Sequence, residues 1–128
     1  MTTIPEAFAI AVSHHQAGRL QAAEQIYRQI LAVDPNHADA WNQLGAVHSL
    51  AGNHQVAAEC ISRAIGLAPK AATFHCSLGD AYRRVLKRDE AIVSYRRALE
   101  LNPDHVAARF SRCATFRDQG KRDEAVNG

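Results

Sequence analysis

Seven histidines and three cysteines in 128 residues are the side chains best able to hold a metal ion or act as a nucleophile. Their spacing argues against both roles. His14 and His15 adjoin, and neighbouring positions on a helix point in different directions rather than converging. The zinc-ligand spacings, a C-x2-C pair or H-E-x-x-H, do not occur. Cys60, Cys76 and Cys113 lie far apart with no base evident beside them, so nothing would activate a thiolate. A glycine-rich phosphate loop, a G-x-S-x-G turn and a pair of carboxylates in an apolar setting are all missing. What remains are arginines, in "RRVLKRDE" from Arg83 and "YRRALE" from Tyr95. A guanidinium fork suits a carboxylate. The clusters form no continuous stripe and the net charge is only +2, so neither nucleic acid nor an anionic membrane is expected as a partner.

The elements that carry these arginines are read from composition and repetition. Apolar residues make up 47% of the chain but aromatics only 6%, and much of the apolar share is alanine. That favours close-packed helices over a sheet of β-branched and aromatic side chains. No apolar run reaches the roughly 20 residues of a membrane span. The start lacks a basic leader, and the odd number of cysteines, none of them in C-x-x-C, fits reduced thiols, so a cytoplasmic protein is expected. The chain also repeats itself. Pro35, Pro69 and Pro103 are spaced 34 apart, as are Ala23, Ala57, Ala91 and Ala125. Gly18, Gly52 and Gly120 keep the same register, with Leu86 in the place of a fourth glycine. Glycine allows the left-handed turn between two helices, and proline ends the second. Leu86 is therefore expected to be strained, unless Lys87 takes that conformation.

These residues carry a resemblance to the tetratricopeptide repeat, a 34-residue helix–turn–helix. The second repeat reads Trp41-x2-Leu44-Gly45-x2-His48, then Ala57-x3-Ile61, then Pro69. The third reads His75-x2-Leu78-Gly79-x2-Tyr82, then Ala91-x3-Tyr95, then Pro103. The first approximates the pattern from Ala7 to Pro35, and the fourth, from Arg109, stops after Ala125. The resemblance implies an all-α, right-handed α-solenoid of antiparallel helix pairs in a single domain, with repeats near 4–37, 38–71, 72–105 and a partial 106–128. Gly45, Gly79, Ala57 and Ala91 should be small where the paired helices approach. Tyr27, Trp41 and Tyr95 should fill gaps between helices, and His14, His48 and His75 should pack as their counterparts do. Cys113 falls in the slot of Gly45 and Gly79, Cys60 on a second helix, and Cys76 on the groove face as the sole candidate for a reactive thiol. His37 and His105, after the turns, should face solvent.

The resemblance further implies a non-catalytic scaffold that binds a peptide or helix of a partner protein in a concave groove lined by the first helix of each repeat. No cofactor or metal is implied. The groove residues carried over slot by slot are Phe8, Val12, Asn42, Gln43, Asp80, Arg83, Arg84, Phe110 and Arg117. Arg83 and Arg117 occupy one slot in adjacent repeats, with Asp80 and Asp118 as internal acidic partners within reach. Two ligand patterns of the family are missing. The carboxylate-gripping slots hold Phe8, Val12, Gln43, Thr73 and Ser77, and the asparagine-ladder slots hold Ala9, Gln43, Ser77 and Ser111. The alternative reading is the substrate-recruiting front part of a glycosyltransferase- or methyltransferase-type enzyme. The short "KRDEAVNG" end should leave an apolar edge that frays or docks on another copy.

Overall fold

The computed structural model describes residues 2–127, with side chains for 2–120. It contains seven helices and, among the described residues, no strand: α1 (Ile4–Gln16), α2 (Leu20–Val33), α3 (Ala38–Leu50), α4 (His54–Leu67), α5 (Ala72–Arg84), α6 (Arg88–Leu101) and α7 (Val106–Asn127). They fall into two compact units, the first ending at Pro69 and the second beginning at Lys70. None of the described helices is long and apolar enough to cross a membrane.

The three repeated prolines act through the residue before them. Asp34, Ala68 and Asn102 leave the helix with ψ of 86°, 76° and 93°, because a following proline disfavours the α conformation. Within each pair the helices are joined by a three-residue turn, which makes them antiparallel. Gly18 and Gly52 take φ of +80° and +88° in those turns. Leu86 holds the equivalent conformation at φ +64°, and Lys87 instead caps α6 at φ −87°. A side chain in that region costs roughly 1–2 kcal/mol, and glycine returns about 0.5–1 of it as backbone entropy. Leu86 is 64% exposed, so its side chain contributes little burial. Leu86→Gly should therefore stabilise the protein by about 0.5–1 kcal/mol, read as a higher urea midpoint at unchanged m-value.

In the first unit α1 packs on α2, α2 on α3 and α3 on α4. Tyr27, Leu44, Val47 and Ile61 are buried among them. Ala23, Ala57 and Ala64 are fully buried, as expected where paired helices approach. Trp41 is half-buried, and its indole N–H donates to the Pro35 carbonyl at 2.8 Å, which ties α3 to the turn before it. In the second unit α5 packs on α6 and α6 on α7, around Tyr95, Ala91, Ala98 and Ala108.

Two expectations are corrected here. Gly120 does not separate two helices, because α7 runs on through it to Asn127. The expected fraying or docking of residues 121–128 lies outside the described side chains. His37 and His105 are caps rather than solvated turn residues. Their Nδ1 atoms accept from the backbone N–H of Ala40 at 3.0 Å and Ala108 at 3.1 Å, each satisfying one orphan donor of a first turn. The third member of that slot, Ala71, offers α5 no side-chain cap.

Candidate functional site

The first helices place the polar side chains. On α5, Asp80, Arg83 and Arg84 line an open hollow of about 400 Å³. Two tethers fix its wall. Tyr95 on α6 donates its hydroxyl to Asp80 Oδ1 at 2.6 Å, and Arg83 donates to Asp118 Oδ2 on α7 at 2.9 Å. Asp118 sits below its ordinary pKa because Arg83 donates to it, and the same bond raises Arg83. Arg84 and Arg117 are exposed and make no ion pair among the described residues. Phe110 on α7 is 70% exposed. Of these arginines Arg83 is thus paired internally, while Arg84 and Arg117 have no ion pair among the described residues.

In the first unit the carried-over residues lie deeper. Phe8 is half-buried, stacked on His37 with ring centroids 5.4 Å apart and tilted against Tyr27 at 5.8 Å. Val12 is half-buried against the core. Asn42 is buried, with no hydrogen-bond partner for Oδ1 among the described residues, and Gln43 is half-buried. A feature not anticipated from the sequence is a hollow of about 830 Å³ between α2, α3 and α4, lined by Arg28, Trp41, Leu44, Cys60 and Arg63 among others. Arg63 lies over the Trp41 ring at 5.1 Å, a cation–π contact. Behind it His48 is buried, with Nε2 3.4 Å from Glu24 and 3.3 Å from Arg28. His48 is thus a packing residue, as its slot implied.

The thiols depart from expectation. Cys76 is buried rather than groove-facing, and burial, with Asp80 nearby, pushes its thiol up to about 12. Burial also raises Cys60. Cys113 shares a slot with Gly45 and Gly79 yet is exposed. In the folded protein a maleimide probe should therefore label Cys113 within minutes and spare Cys60 and Cys76, since a thiol must be both accessible and ionised to react. Mass-mapped labelling of more than one cysteine under native conditions would contradict the burial described here. Among the described residues no three of His, Cys, Asp or Glu come together in a way that could hold a metal ion.

Tetratricopeptide repeat family models match residues 8–72 and 72–105. No curated protein sequence matches the chain. Among solved structures, an O-GlcNAc transferase mutant of Thermobaculum terrenum is 29% identical with a TM-score of 0.84; the match covers 90% of this chain but only 23% of that one. The Sgt2 TPR domain of Aspergillus fumigatus superposes at a TM-score of 0.85 with 22% identity, over 99% of this chain and 85% of that domain. The first TPR of Spaghetti (RPAP3), bound to the HSP90 peptide SRMEEVD, gives 0.82 with 18% identity over 91% and 93%.

Proposed function

The chain belongs to the tetratricopeptide repeat family, and from that premise we propose a non-catalytic scaffold whose first-helix faces bind an extended peptide of a partner protein. The family's fold supports a protein-interaction role in general. The finer reading rests on the second unit, where Asp80, Arg83 and Arg84 line a hollow on α5, Arg83 reaches Asp118 on α7, and α7 also carries the exposed Phe110 and Arg117. Asp118 holds Arg83 in place, while Arg84 and Arg117 keep their donors for a ligand. A wall braced before binding loses little entropy when a peptide arrives. Peptide carboxylates would take the two free forks, and Phe110 would cover an apolar side chain. In the first unit the half-buried Phe8, Val12 and Gln43 would offer contact, while Asn42 is buried.

Selection from a displayed peptide library tests this. The wild type should enrich peptides carrying acidic residues, and Arg84→Glu/Arg117→Glu should lose them while retaining its helical spectrum. An unchanged set of peptides on that variant, or no enrichment at all, sinks the assignment.

One observation favours a second reading, the substrate-recruiting part of a glycosyltransferase-type enzyme. The chain matches a segment amounting to 23% of an O-GlcNAc transferase at 29% identity. Assay of the complete gene product for O-GlcNAc transfer decides between the two readings.

A further inference from the structure

Within the first unit, helices α2 and α4 pack on α3 and not on each other. The hollow of about 830 Å³ lies in the gap between them, open to solvent and floored by the buried Leu44 and Cys60. Trp41 forms one side, its ring fixed by the 2.8 Å bond from its indole N–H to the Pro35 carbonyl. Two arginines line the same hollow, Arg28 from α2 and Arg63 from α4. The acids near them are already engaged. Glu24 accepts from Arg28 Nε at 3.0 Å, and Glu59 accepts from Gln55 at 3.3 Å. Arg28 also turns Nη2 toward the buried His48 at 3.3 Å, which leaves Nη1 unspent. Arg63 lies over the Trp41 ring and makes no hydrogen bond or ion pair among the described residues. Arg97, in the same slot of α6, shows what Arg63 lacks, for it donates to Glu100 at 3.2 Å, three residues on. Three residues beyond Arg63 stands Gly66. An added Cβ there would meet nothing within 4 Å, so packing does not require this poor helix former inside α4. Arg63 has a ring beneath it and no anion beside it.

We infer that this hollow is a second binding site, which takes a bulky apolar side chain of a partner protein flanked by carboxylates. The apolar side chain rests on Leu44, Cys60 and the edge of Trp41, which supply the buried apolar floor. A carboxylate closes the open fork of Arg63, and Nη1 of Arg28 is a second donor for its neighbour. The walls are set before binding, because Pro35 holds the indole while Glu24 and His48 hold Arg28, so little ordering cost remains. A free metabolite fits less well. Small-molecule sites bury most of their ligand, whereas this hollow is open and suits a side chain that arrives attached to a larger body. The site shares no residue with the wall of Asp80, Arg83 and Arg84, so either can fail without the other.

Trp41 is the single tryptophan of the chain, so its emission reports on this hollow. The probes are peptides free of tryptophan and tyrosine: GSGFDDG, its basic match GSGFKKG, and GSGADDG, which lacks the bulky side chain. Titrating the full chain with GSGFDDG should shift the Trp41 emission saturably, at a midpoint at least roughly tenfold below that of either control. Arg63→Glu, at an exposed position, should reverse the preference between the acidic and basic peptides, and Arg63→Ala should abolish it. Arg84→Glu/Arg117→Glu should leave it unchanged. Equal midpoints for the three peptides, no shift with any of them, or no response to the Arg63 variants overturns the inference. So does phenylacetate acting as strongly as GSGFDDG, since a free acid would then be the ligand. An emission that shifts with protein concentration alone, alongside a dimer in sedimentation, also overturns it, because a second copy would then be the occupant.

Discussion

Tyr95→Ala should destabilise the second unit by about 3–5 kcal/mol, the range for removing a buried aromatic without refilling its space. The ring is fully buried between α5 and α6 and lies against Gly79, and its hydroxyl binds Asp80 at 2.6 Å. Tyr95→Phe isolates the hydroxyl and should cost about 1–2 kcal/mol, because the bond is charge-assisted but Asp80 is exposed and regains water. Tyr27 provides the contrast. It occupies the same slot two repeats earlier and is equally buried, but its hydroxyl has no partner among the described residues. Tyr27→Phe should be neutral or stabilising by up to about 1 kcal/mol, since it removes a desolvated group that bonds to nothing. Burial pushes the Tyr27 phenol up to about 12. The folded state therefore keeps this proton when the unfolded chain releases it near 10, and stability falls as pH rises from 10 through 12. Tyr27→Phe should remove that part of the alkaline loss. Urea denaturation of the three variants at pH 7 and pH 11 measures all of this, and equal costs for Tyr95→Phe and Tyr27→Phe would refute it.

The second large effect concerns the slot opposite those rings. A Cβ at Gly79 would stand 2.6 Å from the Tyr95 ring, and one at Gly45 would stand 2.5 Å from Ile61 Cγ1 and 3.0 Å from the Ala57 carbonyl oxygen. Alanine favours a helix interior over glycine by about 1 kcal/mol, so both substitutions would stabilise if the space were free. Overpacking costs about 1–3 kcal/mol and should win at both sites, leaving each variant less stable by up to roughly 2 kcal/mol. Gly79→Ala should be the worse. Ile61 can change rotamer, whereas the Tyr95 ring is tethered at Asp80. The first repeat shows what relief requires. Ala11 fills this slot fully buried, opposite Tyr27, whose hydroxyl is unbonded. Cys113 fills it on α7, where it is exposed. Thermal melts showing either glycine variant to be more stable than the wild type would contradict the close approach.

Much of the fold was legible because it depends on backbone chemistry. A proline disfavours the α conformation of the residue before it, so Pro35, Pro69 and Pro103, each behind a run of helix, mark real helix ends. Glycine only permits a turn, and packing decides whether one forms; hence Gly18 and Gly52 turn while Gly120 stays helical. The register puts either Leu86 or Lys87 in the left-handed turn, and it is Leu86 that takes it. The capping role of His37 and His105 was missed. Histidine is an uncommon cap, and Ala71 in the middle repeat hid the pattern. The candidate wall was legible in its residue types but not in its wiring. Asp118 had been noted as a possible acceptor for the arginines, but the Tyr95–Asp80 bond crosses between helices and leaves no periodic trace. Cys76 was misplaced because slot analogy gives a direction and says nothing about the depth at which a side chain ends.

Within each unit the helices touch their immediate neighbours, with lighter contacts from α1 to α3 and from α5 to α7. Every such contact joins residues close together along the chain, so little entropy is spent closing loops before contacts form. Such a chain assembles like a zipper, and evolution can lengthen or shorten it by a helix pair without rethreading what is already built.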